Sequence, residues 1–416
     1  MSEFPAPDTS MRALLRQGDF VLFWLSRWTA VLGVQIQSVA LGWHIYDLAR
    51  QTMDVKRAAF MVSLIGLVSF VPVLLLALPA GETADRYDRR TILKFTYAGE
   101  IGIAVMLAVA SFTGFVSIPL LLFAATLFGV CRAFFAPANT AMAPMLVPRE
   151  LLPRAIAWNS LAWQTASIAG PAIGGILVAI SPGVSYGTAV GLYLVAGLTI
   201  LLIRSNTQPE VQPGSRWALM KEGLAYVWNN KIVFGAISLD LAAVILAGAT
   251  AMLPVYARDV LHVGPEGFGL LRAAPAIGAA AMAFYLAAAA IRRSAGAIMF
   301  ISVAIFAIGT VVFGLSKVMW LSVAALVVLG AADMISVYIR QTLIQLATPD
   351  HMRGRVATVS SLFIGASNEL GEFRGGVVAR FIGPVAAVVW GGVGALIVTG
   401  VWAKLFPDLR KADRLA

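Results

Sequence analysis

Long, continuous apolar runs are the feature that most constrains this chain, because twelve of them fill most of its 416 residues. A helix rises about 1.5 Å per residue, so roughly 20 apolar residues cross a hydrocarbon core of about 30 Å. The runs do not alternate apolar and polar residues, which excludes a transmembrane barrel. The predicted spans are 20–46, 58–80, 92–113, 117–138, 155–180, 184–203, 232–256, 268–291, 295–315, 319–346, 356–380 and 384–406.

Composition leads to the same fold class. Hydrophobic residues make up 59% of the chain and charged residues only 12%, whereas a soluble domain carries about 25% charged residues. This excludes a soluble globular enzyme and a disordered chain. The sequence therefore predicts an all-α membrane protein whose first span is retained, since that run is too long for the apolar part of a signal peptide. Cys131 is the single cysteine, so no internal disulfide can form.

Lysine and arginine are distributed unevenly between the predicted loops. With the N-terminus in the cytoplasm, the inner side collects 20 of the 31 basic residues in its loops, termini and span ends, the outer side collects six, and the remaining five lie deeper within spans. Cytoplasmic loops of membrane proteins carry such an excess, so both termini are predicted to be cytoplasmic. The formal net charge of +10 is attributed to orientation and to anionic lipid headgroups, and no nucleic-acid partner is expected.

An internal repeat divides the chain into two halves. Six positions recur at a constant offset of 201 residues: Gly129, Pro148, Arg154, Gly170, Gly174 and Gly175 match Gly330, Pro349, Arg355, Gly371, Gly375 and Gly376. Six spans separate the copies, so both copies have the same topology, as in secondary transporters whose binding site lies between parallel halves. The predicted boundaries are an N-terminal half 1–204, a cytoplasmic linker 205–231 and a C-terminal half 232–416. Apolar residues at helical spacing predict an amphipathic helix in the linker.

The loop after the second span contains a charged motif. It reads Gly81-Glu82-Thr83-Ala84-Asp85-Arg86-Tyr87-Asp88-Arg89-Arg90. This pattern resembles the signature loop of the major facilitator superfamily, which usually has glycine where Asp88 stands, so the turn is expected to differ. The resemblance implies a conformational latch, because such charges can pair with charges and helix ends of the opposite half; an ordinary positively charged loop is the alternative. The latch residues are Gly81, Asp85, Arg86, Arg89 and Arg90.

A second motif lies in the fifth span. Gly170, Pro171, Gly174 and Gly175 belong to the run Gly-Pro-Ala-Ile-Gly-Gly, which resembles the glycine-proline motif of proton-coupled exporters in that superfamily. Small residues let helices approach closely, and proline frees a backbone carbonyl, which gives a pliable joint; ordinary helix packing is the alternative. Across nearly its whole length the chain is similar to the branch that contains enterobactin exporters. The segments that carry this similarity are Arg132–Ala138, Pro349–Val356 and Asn368–Phe373.

Polar and ionisable residues inside spans are costly to bury and are therefore functional candidates. In the superfamily that the chain resembles, spans one, four, seven and ten line the central cavity, which implies a set of cargo-binding candidates. They are Gln35, Gln37, Arg132, Asn139, Asp240, Asp333, Arg340 and Gln341. Arg27 and Glu100 lie nearer the cytoplasmic ends of their spans and are predicted to be structural.

Four carboxylates are candidates for carrying a coupling proton. Glu369 and Glu372 are three residues apart in span eleven and share one helix face, so apolar surroundings and mutual repulsion favour protonation. The alternative is that they neutralise Arg374 or an arginine of another helix. Asp240 and Asp333 are the rival carriers, because their spans are expected to face the cargo path.

Together these features predict a secondary transporter that rocks two six-helix halves about a central site. The predicted activity is proton-driven export of a small amphipathic or siderophore-like molecule across the bacterial cytoplasmic (inner) membrane. Other cargo or direction, such as a lysophospholipid flippase or an uptake permease, stays open, as does a non-transporting receptor or enzyme. No nucleophile, metal or cofactor pattern is visible, so none of these is expected. The expected partners are membrane lipids, cargo and protons, and the sequence is compatible with a monomer.

Overall fold

The structure is a computed structural model that describes residues 10–209, 216–289, 291 and 294–412. Within those residues every regular element is helical, as predicted. The chain forms two compact units. Unit 1 comprises Met1–Ala40, Val71–Val116 and Phe123–Pro213, and unit 2 comprises Leu41–Phe70, Ser117–Leu122 and Gly214–Ala416.

In unit 1 the fourth and seventh helices pack closely against each other. Three of the helices that build it, the second, third and fifth, also contribute residues to unit 2. The helices are α1 (Met11–Leu15), α2 (Gly18–Thr52), α3 (Val55–Arg86), α4 (Arg89–Thr113), α5 (Ile118–Met142), α6 (Leu152–Ile180) and α7 (Pro182–Leu202). Tyr97 of α4 and Tyr193 of α7 are buried at the contact between these two helices.

Unit 2 continues the chain with the remaining helices. They are α8 (Arg216–Asn229), α9 (Lys231–Ala247), α10 (Leu253–Val255), α11 (Gly264–Ala288), α12 (Ala295–Leu315), α13 (Met319–Ala347), α14 (Arg353–Ile382), α15 (Pro384–Leu405) and α16 (Pro407–Arg410). Helix α8 lies in the stretch predicted to link the halves, and its Tyr226 hydroxyl donates to the Ala347 carbonyl at 2.5 Å. Asn230 begins α9 by accepting from the backbone N–H of Ile232 at 3.1 Å, as N-cap residues do.

Ten helical stretches of the described chain are long and apolar enough to cross a membrane, one of them being the interrupted stretch Lys231–Val260. Helices α2 and α14 are not among them, although they have 35 and 30 residues, because polar side chains such as Arg27, Gln35, Glu369 and Arg374 interrupt their apolar residues. An all-helical membrane protein is confirmed. The count of twelve spans stays a prediction, in which α2 and α14 direct these polar groups towards protein rather than lipid.

The seventh predicted span, 232–256, is not one helix. Helix α9 ends at Ala247, and a short break leads into 3₁₀, α and π turns as far as Val260. At the break, Gly248 lies against the backbone of Gly371; further on, Pro254 lacks the N–H that a continuous helix needs. Arg374 donates from Nη2 to the carbonyl of Leu246 and so satisfies an acceptor that the break leaves unpaired.

Both copies of the repeated glycine motif form close helix contacts. A Cβ atom on Gly170 of α6 would lie 2.5 Å from Cβ of Gln35 on α2, and one on Gly371 of α14 would lie 2.7 Å from the carbonyl oxygen of Val244 on α9. Each motif thus packs against the first long helix of its own half. Only a residue without a side chain permits such an approach between backbones.

We expect the Gly371→Ala change to lower the midpoint of thermal unfolding in detergent. The added methyl group meets a backbone carbonyl that cannot move aside without displacing α9, and overpacking of this kind costs about 1–3 kcal/mol. Gly365→Ala on the same helix is the matched control, since a Cβ added at Gly365 would have no neighbour within 4 Å and alanine is the better helix former. Equal losses for the two variants would contradict the close-contact role of Gly371.

Candidate functional site

Unit 2 contains a cluster of three charged side chains, of which Arg340 and Asp240 are buried and Asp333 is half-buried. Arg340 of α13 is 2% exposed and forms an ion pair with Asp240 of α9. Asp333 lies seven residues before Arg340, and this spacing of about two turns places both on one face of α13. A guanidinium in an apolar interior needs such partners, because an unpaired buried charge is strongly destabilising. The structure brings these three predicted site residues together, whereas Gln341, the fourth candidate of unit 2, is exposed.

A small cavity adjoins this charge cluster. Asp240 and Asp333 line it with Phe306 and Ser336, and its volume is about 10 Å³, at the lower limit for one water molecule. Within the described residues Asp333 forms no ion pair, and Nε of Arg340 has no hydrogen-bond partner. Two acids and one guanidinium leave one excess negative charge when all three are ionised. Uptake of a single proton makes the cluster neutral.

An open apolar groove of about 640 Å³ lies beside the same helix α9. Phe234 and Leu241 of α9 line it together with Leu224 of α8 and Phe363 of α14. Asp240 directly precedes Leu241 in the sequence, so α9 presents an apolar wall to the groove and a charged side chain on an adjacent face. Ligand pockets commonly have volumes of about 300–1,000 Å³. Sequence reasoning missed this groove, because its three helices come together only in the folded chain.

The candidates of unit 1 have a different setting. Gln37 and Asn139 are 3% and 5% exposed, and neither side-chain carbonyl oxygen has a hydrogen-bond partner among the described residues. Gln35 packs beneath Gly170, and Arg132 is exposed. The two buried amide oxygens are therefore acceptors that a donor on a bound molecule or a water could satisfy.

The two predicted proton carriers of α14 lie against α3. A Cβ atom on Gly66 would be 3.4 Å from Oε2 of Glu369 and 3.4 Å from Cβ of Glu372, so both glutamates pack on the α3 backbone. Arg374 instead donates from Nη2 to the carbonyl of Leu246 at the end of α9. The arginine therefore serves the helix break, a role that the sequence did not suggest.

Two arginines of the predicted latch bind carboxyl ends of helices within unit 1. Arg89 donates from Nη1 to the Ala141 carbonyl at 3.0 Å, and Arg90 donates from Nη2 to the Leu201 carbonyl at 3.3 Å. These carbonyls lie in the last turns of α5 and α7, where acceptors are unpaired and the helix dipole favours a cation. The two side chains therefore join α4 to α5 and α7.

The other latch residues lie along the end of α3. Gly81 is buried and Asp85 is half-buried. Arg86 pairs from Nη2 with Oε1 of Glu82 at 2.7 Å, an exposed pair one turn apart, and such pairs contribute little to stability. Pairing of this loop with the opposite half stays a prediction.

Asp88, which stands where the superfamily usually has glycine, is the N-cap of α4. Its carboxylate accepts from the backbone N–H of Arg90 and of Thr91 at 3.3 Å each, and also from the hydroxyls of Thr91 and Thr207. Burial acts to raise the pKa of Asp88, but these hydrogen bonds outweigh it and hold the pKa below its ordinary value. The N-cap rule could have found this role from the sequence, whereas the contact with Thr207 needed the fold.

We expect Asp88→Ala to lower the thermal midpoint, because loss of an N-cap costs about 0.5–2 kcal/mol. Asp88→Asn is the control, since asparagine keeps an acceptor for the helix N–H groups. A lowered pKa means that the carboxylate stabilises the fold above the ordinary pKa of 3.8; this contribution is lost as pH falls through the lower folded-state pKa. The gap between wild type and Asp88→Ala should therefore narrow on acidification, and a gap that is independent of pH would rule out the charged cap.

A second polar cluster, also missed by the sequence analysis, joins the end of α2 to the π-helical turn Tyr256–Val260 within unit 2. Arg50 pairs from Nη2 with Oδ1 of Asp259 at 3.2 Å, and Arg258 pairs with Asp47. The Tyr46 hydroxyl also donates to Asp259. All four charged side chains are partly exposed, so the cluster can be reached by solvent. No sequence signal connects these segments, because they are far apart along the chain.

Reversal of one charge in this cluster should destabilise the folded chain. Asp47→Arg places like charges together, and we expect a lower thermal midpoint, while the double reversal Asp47→Arg with Arg258→Asp should restore most of the loss. Partly exposed pairs contribute about 0.2–1 kcal/mol each. Arg57→Asp, in the exposed Arg57–Asp54 contact at 3.9 Å, is the control and should change little. Failure of the double reversal to recover stability would dismiss a direct pairing.

Known proteins similar to this chain are membrane transporters. Residues 9–416 match the family described as transmembrane secretion effector. The enterobactin exporter EntS of Citrobacter koseri is 28% identical over 405 residues, which cover 94% of this chain and 92% of that protein. The staphyloferrin A transporter of Staphylococcus aureus is 24% identical over 264 residues, which cover 62% of this chain and 64% of that protein.

Solved structures agree with the fold. A POT family transporter, crystallised in complex with 5-aminolevulinic acid, matches with a TM-score of 0.75 over 94% of this chain and 96% of that one. The identity is only 11%, so this likeness concerns the fold alone.

Proposed function

Because the chain belongs to the transmembrane secretion effector family of the major facilitator superfamily, we propose that it exports a small amphipathic, siderophore-like molecule in exchange for protons. Membership of this family makes the chain a transporter and not an enzyme. The cargo is proposed from the names of the enterobactin and staphyloferrin A transporters to which it is similar. A lysophospholipid flippase or an uptake permease would share the fold and differ in cargo or direction.

The proposal depends on one observation, the cluster of Asp240, Asp333 and Arg340 on α9 and α13, in which only Asp333 is half-buried. Charged groups buried inside spans commonly mark a substrate or ion pathway. Arg340 is paired with Asp240, which leaves Asp333 as the acid of the cluster that has no ion pair among the described residues. Asp333 is therefore the coupling carboxylate that we favour over Glu369 and Glu372, which pack against α3.

Competition for one carboxylate explains how exchange could arise. An ionised Asp333 can accept hydrogen bonds from hydroxyl or amide groups of a cargo, whereas a protonated Asp333 is neutral and accepts them more weakly. Proton and cargo then bind alternately, which is the requirement for an exchanger. The apolar groove lined by Phe234 and Leu241 on the same helix supplies surface for the apolar part of an amphipathic cargo.

The setting that we propose follows the distribution of charge along the sequence. The chain lies in the bacterial inner membrane with both termini in the cytoplasm, because basic residues are concentrated on that side. It acts as a monomer of two halves, 1–204 and 232–416, joined by the linker 205–231. The loop with Asp85 and Arg86 latches one state of the cycle, and the small residues around Gly170 form the pliable joint.

Transport in proteoliposomes tests this function. With a pH gradient imposed and enterobactin and staphyloferrin A as probes, wild type should accumulate at least one of them against its gradient. Asp333→Asn should lose uphill transport, because it cannot bind a proton, yet keep downhill exchange. Asp408→Asn, at an exposed position of α16, is the control and should behave as wild type.

Two outcomes would contradict the proposal in different ways. Transport of the probes at a rate that does not depend on the pH gradient would exclude proton coupling. Uphill transport by Asp333→Asn at the wild-type rate would still support proton-coupled exchange, but it would show that Asp333 is not the residue that carries the proton.

A further inference from the structure

Glu100, in the middle of α4, is a buried acid that the proposed function does not use. It is 3% exposed, and its Oε2 atom has no hydrogen-bond partner among the described residues. The sequence predicted a structural role for it. A structural glutamate inside a membrane protein normally has a cation or several donors as partners, and this one has neither within the described chain.

The groups that face Glu100 come from three helices and from α4 itself. Cys131 of α5 lies next to it, since its Sγ atom would be 2.7 Å from a Cβ on Gly99. Tyr193 of α7 is fully buried, and its hydroxyl also lacks a partner in the described chain. Tyr97, one turn earlier on α4, accepts a hydrogen bond from Ser26 of α2 at 3.1 Å. Thiol and phenol groups are ordinarily uncharged at neutral pH, so they supply no counter-charge.

Arg27 of α2 is a half-buried cation near this acid, but its electrostatic neighbour is Tyr97. Tyr97 lies within electrostatic reach of both Arg27 and Glu100. Nε of Arg27 is buried and has no hydrogen-bond partner in the described part of the chain. An unmatched acid and an unmatched guanidinium therefore both lie close to Tyr97.

The cost of burying a charge determines the protonation state of Glu100. An ionised carboxylate in an apolar interior without a partner is far more costly than its neutral acid, so Glu100 carries a proton in the conformation described here. Arg27 would reverse this preference for the neutral acid if it moved next to Glu100, because a guanidinium close to the carboxyl stabilises its ionised form. Helix α2 contacts this region closely, since a Cβ on Gly33 would be 2.9 Å from the Tyr193 ring.

We propose that Glu100 is a second proton-binding site of the transport cycle, which holds its proton while sealed and releases it when a rearrangement of α2 admits water or Arg27. The proton passes from water to the carboxylate and back to water, and no other bond changes. The inference rests on the proposed proton-driven transport, because it adds a second proton per cargo to the one bound at Asp333.

Infrared difference spectroscopy of the purified protein tests proton binding without any cargo. One C=O stretching band of a protonated carboxyl should be present in wild type, missing in Glu100→Gln, and retained in Asp333→Asn and in Glu150→Gln, where an exposed acid is removed. Cys131→Ala should shift the frequency of the band, which assigns it even if Glu100→Gln folds poorly. The band should lose intensity as pH rises. A Glu100 band that stays constant at every pH at which the protein is folded would overturn the proposal, because the acid would then never release its proton.

The number of protons per cargo is the second measurement. With the membrane potential clamped at zero and enterobactin as the probe, the logarithm of the accumulation ratio should rise with the pH gradient with a slope of two for wild type and one for Glu100→Gln. The variant should therefore accumulate about tenfold less cargo per pH unit, as expected when one proton of the driving force is lost. Equal slopes would overturn the second site. Absence of any uphill transport in wild type would count against the proposed function instead, while the infrared result would still decide whether Glu100 binds and releases a proton.

Discussion

The cost of burying charge where water is absent governs the placement of ionisable groups in this chain. Inside a bilayer an unpaired charge or backbone group has no solvent to satisfy it. Arg340 meets this requirement through Asp240, and Arg374 meets it through the free carbonyl of Leu246. The buried acid Glu100 has no such partner in the described residues. It therefore differs from Asp240, which stabilises the fold by pairing with Arg340.

Close backbone contact is the second property on which the architecture depends. Gly170 and Gly371, related by the internal repeat, each lie against the first long helix of their half. In the second half this contact coincides with the end of α9, where Gly248 meets Gly371 and Arg374 binds the exposed carbonyl. A packed joint and a broken helix thus occur at one place, next to the segment that carries Asp240.

Much of the fold could be predicted because its causes lie within short stretches of sequence. Apolar runs place the helices to within a few residues, as for the predicted span 295–315, which is α12 (Ala295–Leu315). The break after Ala247 was not predicted, since hydropathy is insensitive to the contact between Gly248 and Gly371. Only part of the role of Asp88 could be predicted from the sequence. Its position before α4 is typical of an N-cap residue, but its hydrogen-bond partner Thr207 lies beyond α7 and is brought close only by the fold.

The sequence by itself determined that this chain is an all-helical membrane protein with an internal repeat, because hydropathy and residue spacing are properties of successive residues. The transporter class was implied by the resemblance of its motifs to those of the major facilitator superfamily. The sequence also named Asp240, Asp333 and Arg340 as candidates, because charged residues are rare in apolar spans. Only the tertiary structure decided which of these charges are paired and that Glu100, within the described residues, is not. The physical reason is that the energy of a buried charge depends on its neighbours in space, and those neighbours come from helices far apart along the chain.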